Sequence, residues 1–215
     1  MQAREADGVR VDGLDAATRE LVELAIVIAR AREPELRDAM QRAARAELRP
    51  DWVEELILQS YIFVGFPRAL NAAREWRRAS GIPAPRADAD ASGDGYERWR
   101  ERGEATCSTV YGPVYERLRS NIRELHPALE EWMIVEGYGK LLGRPALDLR
   151  RRELCIVAVC GALEQERQLH AHLKGALNAG ATAAEVQDTL DVVSSHVDEE
   201  TANRLAHLWN RVRQQ

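Results

Sequence analysis

The sequence predicts an all-α protein built from two tandem helical units. Apolar residues recur at helical spacing in many segments, and most of these segments begin at a proline or at a side chain that caps helices. No segment alternates convincingly between apolar and polar residues, as a half-buried strand would. A set of residues from the first half of the chain also recurs in the second half, which indicates duplication.

Four helices are predicted before the middle of the chain, after a polar start at residues 1–13 that is expected to be loosely attached. Asp15 is a suitable N-cap for the first helix, and Pro34, Pro50 and Pro67 each fit the opening of a later one. Gly81 suits the position that follows the last turn of the fourth helix. The predicted helical segments are 16–30, 34–47, 50–65 and 67–80.

A linker and seven further helices are predicted in the remainder of the chain. Residues 82–94 are rich in Pro, Ala, Asp and Gly and offer little to bury. Asp148 caps a helix that is apolar nearly all round and should therefore be central. Thr182 and Glu185 form the capping box of a helix that follows Gly180. The helix capped by Asp148 is 149–163, and the remaining predicted segments are 95–111, 114–125, 128–142, 166–179 and 199–213.

Composition narrows the classes of function. The net charge is -5 and arginines are spread along the chain, so nucleic acid is not an expected partner. The longest apolar runs are too short to span a bilayer, and the polar start lacks the apolar core of a signal peptide. The sequence therefore predicts a folded cytoplasmic protein that has no membrane partner.

Cysteine usage argues against a disulfide or a metal centre. Cys107, Cys155 and Cys160 form no C-x-x-C pair, and the last two point in different directions on one predicted helix. No cluster of His, Cys and carboxylate residues has the spacing of a structural zinc site. The three thiols are expected to be buried and to act as small hydrophobic side chains.

The internal repeat pairs two Arg-Glu-Leu triplets, 19–21 and 152–154, each followed by an apolar helix. The same offset pairs Leu36 with Leu169, and it also pairs two later inward-facing positions. Ala39 in the first copy corresponds to His172 in the second, so the two copies are not expected to be chemically equivalent.

Several segments resemble the carboxymuconolactone decarboxylase family, which includes the AhpD-like alkylhydroperoxidases. They are RPALDLRRRELCIVAVCGAL and QLHAHLKGALNAGAT in the second half, the preceding GEATCSTVYG, and GFPRALNA in the first half. The resemblance implies an AhpD-like helical bundle and assembly into homo-oligomers, as trimers or hexamers. It divides the chain into a first repeat (1–81), the linker (82–94) and a fuller second repeat (95–215).

The resemblance also implies where chemistry would occur. In the AhpD-like branch a Glu and a His activate a C-x-x-C pair, and these positions correspond to Glu153, His172, Gln165 and Gln168. Because glutamine forms neither a thiolate nor a disulfide, peroxidase chemistry is not expected. In the decarboxylase branch no thiol is needed, and His172 would act as the acid–base group, with Glu153 orienting it or carrying a second proton.

Substrate-binding roles are assigned on the same basis. Arg144 and Arg152 are candidates for binding a substrate carboxylate, and Gln168 for binding substrate or fixing the imidazole tautomer. His170, predicted on the opposite helix face from His172, is a weaker candidate. The expected ligand is a small acid or lactone, without a metal or an organic cofactor.

Two alternatives and one structural hypothesis remain at this stage. The chain departs from the decarboxylases at Gln168, where they generally carry a carboxylate, which leaves open another reaction on a related small acid. A non-catalytic family member that binds a ligand is the other alternative. Because the Gly65-Phe66-Pro67 element is kept only in the first copy, the two halves are hypothesised to build one site jointly.

Overall fold

A computed structural model describes residues 13–46, 48–91 and 95–214, so most of the predicted loose N-terminal segment lies outside the described residues. Every regular element within these ranges is helical, which confirms the all-α prediction. The helices are α1 (Ala16–Arg30), α2 (Glu33–Arg45), α3 (Pro50–Ser80), α4 (Tyr96–Tyr111), α5 (Tyr115–Leu125), α6 (Pro127–Trp132), α7 (Leu149–Ala162), α8 (Glu166–Asn178), α9 (Ala183–Ser194) and α10 (Glu199–Val212).

Helix α3 contains both of the predicted helices 50–65 and 67–80. Gly65 breaks it with φ 79° and ψ 163°, a backbone conformation that a residue with a side chain rarely adopts. Gly81 then ends the helix in the left-handed conformation, with φ 68°. The break predicted at Gly65 is therefore confirmed as a kink between two helical segments.

The segment predicted as one helix over 128–142 differs from an ordinary α-helix. After the short helix α6, the chain continues as a wider π-helical segment, Met133–Leu142. This segment packs closely on α4 through two glycines. A Cβ on Gly103 would lie 2.0 Å from the carbonyl oxygen of Ile134, and a Cβ on Gly139 would lie 1.9 Å from the carbonyl oxygen of Trp99. The backbones thus touch directly, a contact that helical spacing in the sequence does not reveal.

The close contact between α4 and the π-helical segment leads to a stability prediction. Replacing Gly103 with alanine should lower the free energy of unfolding by about 2 kcal/mol, because a backbone oxygen cannot move aside as a side chain can. Gly137→Ala, in the π-helical segment that packs on α4, is the control, since its Cβ would meet nothing closer than 3.9 Å among the described residues. Urea denaturation of both variants measures the difference, and equal stabilities would contradict the prediction.

Helix α7 is the centre of the core, as predicted. Its residues from Arg152 to Ala162 are all buried, and α1, α8 and α9 pack around it. Helix α1 lies beside α7 in the same direction: Arg151 Nε donates to Thr18 Oγ1 at 2.9 Å near their starts, and Arg30 Nη1 donates to the Ala162 carbonyl oxygen at 3.0 Å near their ends.

The helix boundaries repeat as the sequence does. Helices α1, α2 and α3 begin at residues 16, 33 and 50, and α7, α8 and α9 begin at 149, 166 and 183. Each pair differs by 133 residues, the same separation as between the contacting residues Thr18 and Arg151. The part of α3 that follows Gly65 corresponds to α10 in the same way. The chain therefore contains two tandem helical units, with α4, α5, α6 and the π-helical segment between them.

Contacts between the two units show an approximate two-fold relationship. Arg19 of the first unit contacts Asp188 of the second at 3.4 Å, and Arg152 of the second contacts Glu55 of the first at 2.6 Å. The repeat offset converts Arg19 into Arg152 and Glu55 into Asp188, so the same contact is formed twice with the units exchanged. Such an exchange of partners is the property of an isologous interface.

Candidate functional site

Glu153 and His172 are brought together in the interior. Glu153 lies near the start of α7 and His172 in the middle of α8, and Glu153 Oε2 lies 2.8 Å from His172 Nδ1. The glutamate is 0% exposed and the histidine 6%. A neutral imidazole whose Nδ1 donates to a carboxylate keeps its lone pair on Nε2, so Nε2 is the nitrogen left for a ligand.

The carboxyl group of Glu153 occupies space left by a glycine. A Cβ on Gly175, one turn after His172, would lie 2.6 Å from Glu153 Oε2 and 2.7 Å from a methyl carbon of Val110. The other oxygen, Oε1, is buried without a hydrogen-bond partner among the described residues. A buried carboxyl group needs hydrogen-bonding partners, and the imidazole of His172 is the one that Glu153 has among the described residues.

His172 lines a cavity of about 470 Å³ whose walls are mainly aromatic and aliphatic. The Phe63 ring meets the imidazole edge-on with centroids 6.1 Å apart, and the Tyr111 ring lies at 6.4 Å. Phe63, with its neighbours Tyr61 and Ile62, belongs to α3 just before the Gly65 kink. Both tandem units thus contribute walls to the cavity that contains the His172 side chain.

Besides His172 and the indole of Trp132, the polar side chains among the described residues that line the cavity are three phenols and one carboxylate. Tyr61 donates a hydrogen bond to Glu136, and burial together with that bond raises the pKa of Tyr61 to about 12. Burial likewise raises the pKa of Tyr111 to about 12 and that of Tyr138 well above its ordinary value. These phenols are neutral donors near neutral pH. No arginine or lysine is among the described residues that line the cavity.

The two arginines predicted to bind a carboxylate are engaged away from this cavity. Arg152 Nη2 lies 2.6 Å from a Glu55 oxygen, and Arg144 Nε donates to the same carboxylate at 2.9 Å. Arg144 also contacts Asp88 at 2.7 Å. Neither guanidinium is among the described residues that line the His172 cavity, so a carboxylate-binding role for them in this cavity stays a prediction without a contact to support it. Both guanidinium groups are instead bound by Glu55, a long-range contact that the predicted helix 50–65 did not reveal.

The remaining candidates also lie apart from His172. Gln168 and Gln165 are exposed at the start of α8, and neither lines the cavity. His170 lines a different cavity, as its place on another face of α8 predicts. The structure therefore assembles Glu153 and His172 but not Gln168, Arg144, Arg152 or His170 around one space.

The three cysteines are buried, as predicted. Burial raises the pKa of Cys155 and of Cys160 to about 12, and that of Cys107 further still. A thiol in such surroundings is a poor nucleophile. In the described ranges no group of three or more His, Cys, Asp or Glu residues is arranged to hold a metal, and no helix is long and apolar enough to cross a membrane.

The sequence patterns did not predict the aromatic walls of the His172 cavity or the place of Gly175 beside Glu153. Tyr61 and Phe63 lie inside the apolar run WVEELILQSYIFV, where they resemble ordinary core residues. Tyr111 and Tyr138 come from α4 and the π-helical segment, which the repeat does not contain. The sequence contained one sign of this arrangement, Gly175. It lies three residues after His172 and therefore on the same helical face, where the lack of a side chain leaves room for a neighbour.

Comparison with known proteins places these features in a family. The sequence profile of the carboxymuconolactone decarboxylase family matches residues 1–78 and 128–210. Peroxisomal protein 2 of Schizosaccharomyces pombe is 30% identical to this chain, over 65% of this chain and 66% of the yeast protein. Peroxisomal protein 2 of Saccharomyces cerevisiae is 25% identical, over 62% of this chain and 56% of the yeast protein. The chain thus spans less than two thirds of either yeast protein. The 4-carboxymuconolactone decarboxylase of Acinetobacter baylyi is 22% identical over 54% of this chain and 87% of its own.

Proposed function

This chain belongs to the carboxymuconolactone decarboxylase family, and we propose that it is a cofactor-free lyase acting on a small lactone or carboxylic acid. The observation that supports this most directly is the buried contact of 2.8 Å between Glu153 and His172 on the wall of a cavity. An imidazole held by a carboxylate through Nδ1 is suited to exchange protons through Nε2.

Each side chain of the cavity has a part in the proposed reaction. When a carboxylate leaves as CO2, the electron pair of the broken C–C bond is delocalised onto the conjugated carbonyl, and a proton must then reach the ring. His172, after Nε2 has taken up a proton from solvent, delivers that proton to the ring, while Glu153 orients the imidazolium and stabilises its charge. The neutral phenols of Tyr111 and Tyr138 are suited to donate hydrogen bonds to the oxygen that gains charge.

Two other functions are less well supported. A thiol peroxidase would need a reactive cysteine, whereas the described thiols are all buried and glutamines occupy the positions of the family's redox pair. A ligand-binding protein without catalysis is the main alternative. It is favoured by the lack of a lysine or arginine among the described residues of the cavity wall, because a substrate carboxylate would usually find one there.

The test is CO2 release from 4-carboxymuconolactone, the compound in the name of the Acinetobacter baylyi relative. The proposal expects release to depend on the enzyme and to follow saturation kinetics without added metal or cofactor. Absence of release from this compound and from related unsaturated lactone acids would contradict the lyase proposal and favour the ligand-binding alternative.

We also propose that the chain forms a homo-oligomer, as the family resemblance implies. Phe66 and Trp132 are each 63% exposed and Leu129 is 48% exposed, and all three lie at or beside the cavity wall. Exposed apolar side chains grouped in this way are typical of surfaces that contact another chain. A molar mass of one chain in light scattering would contradict this proposal. The cytoplasmic location stays a prediction, while the two yeast relatives carry peroxisomal names.

A further inference from the structure

A second cavity, of about 490 Å³, shares only the Tyr111 side chain with the His172 cavity, and we propose that it binds a small organic carboxylate. It lies between the end of α4, helix α5 and helix α8. A space of this size accommodates a molecule of one ring with a short acidic side chain. The proposal does not depend on the lyase reaction, because the side chains that carry it are separate from Glu153 and His172.

The basic groups of this second cavity come from two helices. Arg117 extends from α5, and His170 and Lys174 lie one turn apart on α8. No aspartate or glutamate is among the described residues that line the cavity, whereas Glu136 lines the His172 cavity. The two neighbouring cavities thus differ in charge, and among the described residues only the second has arginine and lysine donors that form charge-assisted hydrogen bonds with a carboxylate.

Arg117 differs from most arginines of this protein. It forms no hydrogen bond or ion pair with any residue that the structure describes, whereas Arg119, two positions later, is bound by Glu130 at 2.6 Å. Burial and the positive charges of Lys174 and Arg211 lower the pKa of His170, as a region of positive potential would. An arginine without a counter-ion beside two other basic side chains is available to an anion.

The other walls of the second cavity indicate which anion fits. Val110, Tyr111 and Leu118 face it from one side and Leu177 from α8, so most of the enclosed surface is apolar. Asn178 is held in place by donating to the Val110 carbonyl oxygen at 2.9 Å. A phosphate ion would leave these apolar walls unfilled. A monocarboxylate with an aromatic or aliphatic body matches both parts of the cavity.

Calorimetric titration with phenylacetate tests the proposal, with phenylacetamide as the uncharged analogue of nearly the same shape. The wild-type protein should bind phenylacetate at least about tenfold more tightly, because only the carboxylate gains charge-assisted hydrogen bonds. The variants Arg117→Gln and Arg117→Glu should lose that preference, the second more completely, while their affinity for phenylacetamide stays unchanged. Arg117 is exposed, so these variants are expected to fold.

A variant of the other cavity shows where phenylacetate binds. With His172→Gln the affinity for phenylacetate should be unchanged, whatever happens to lyase activity. Equal affinity for the acid and the amide, or no effect of either Arg117 variant, would overturn the proposal. Loss of phenylacetate binding in His172→Gln would also overturn it, because binding would then occur beside His172. Inactivity of the wild type toward lactones would bear on the lyase proposal alone.

Discussion

Replacing His172 with glutamine is expected to lower the rate of CO2 release about 10²- to 10⁴-fold, the usual contribution of a positioned acid–base group. Glutamine can accept a hydrogen bond where imidazole stands, but it cannot take up and return a proton near neutral pH. The rate constant at saturating substrate should fall more than the Michaelis constant changes, because the loss concerns proton transfer and not binding.

A second Glu–His contact in this chain provides the control for His172→Gln. His196 Nε2 lies 2.9 Å from Glu23 Oε2, with side chains that are 31% and 38% exposed. His196→Gln should leave the rate unchanged. Glu153→Gln should lower it by a smaller factor than His172→Gln, about 10- to 100-fold, since the amide still contacts the imidazole but no longer stabilises its charge. Full activity of His172→Gln would refute the acid–base role.

The contact between Glu153 and His172 depends on local features, the starts of two helices, that can be recognised in a sequence. Asp148 fixes the start of α7, which places Glu153 one turn in, and α8 begins at Glu166, which places His172 in its second turn. Two short helices joined by a tight turn leave few ways for these faces to meet. These features are compatible with the pairing that the family resemblance implied, and the two residues, nineteen apart, lie in contact.

The surroundings of that contact depend on long-range packing that no local pattern determines. Phe63 reaches His172 from the other tandem unit, more than a hundred residues earlier in the sequence. Arg152 carries the charge expected of a carboxylate-binding residue, but its guanidinium is already bound by Glu55 at 2.6 Å. Charge and a position close to the start of α7 made Arg144 and Arg152 candidates for binding a carboxylate, whereas the arrangement of α3 against α7 decides their contacts.

The two units, although related by an approximate two-fold, differ at the position of His172, the residue proposed to carry acid–base chemistry. The position equivalent to His172 in the first unit is Ala39, which is 2% exposed and packed in the core. Alanine there fills space without bringing a polar group into the interior. In the second unit the same position faces a cavity, because α3 contributes aromatic walls opposite it. The two units thus share the same arrangement of helices, and the second has the buried pair of Glu153 and His172.

The same relationship provides a comparison between two arginines in equivalent places. Arg152→Met should lower the free energy of unfolding by about 3 kcal/mol, because Glu55 and Gln59 are buried and lose a hydrogen-bonding partner. Arg152 is 0% exposed and Glu55 4%, so water does not replace the missing guanidinium. The value lies at the lower end for a broken buried pair, since Arg144 still contacts Glu55.

Arg19→Met removes the equivalent contact at the surface. Arg19 and Asp188 lie 3.4 Å apart with side chains that are 47% and 32% exposed, so its loss should cost less than about 1 kcal/mol. Urea denaturation of the two variants compares one substitution at two equivalent positions that differ in burial. Equal destabilisation would mean that the Glu55 cluster contributes no more than a solvated pair. The expected difference would instead identify that cluster, which joins the first unit's α3 to the start of α7, as a larger contribution to stability than the equivalent surface pair.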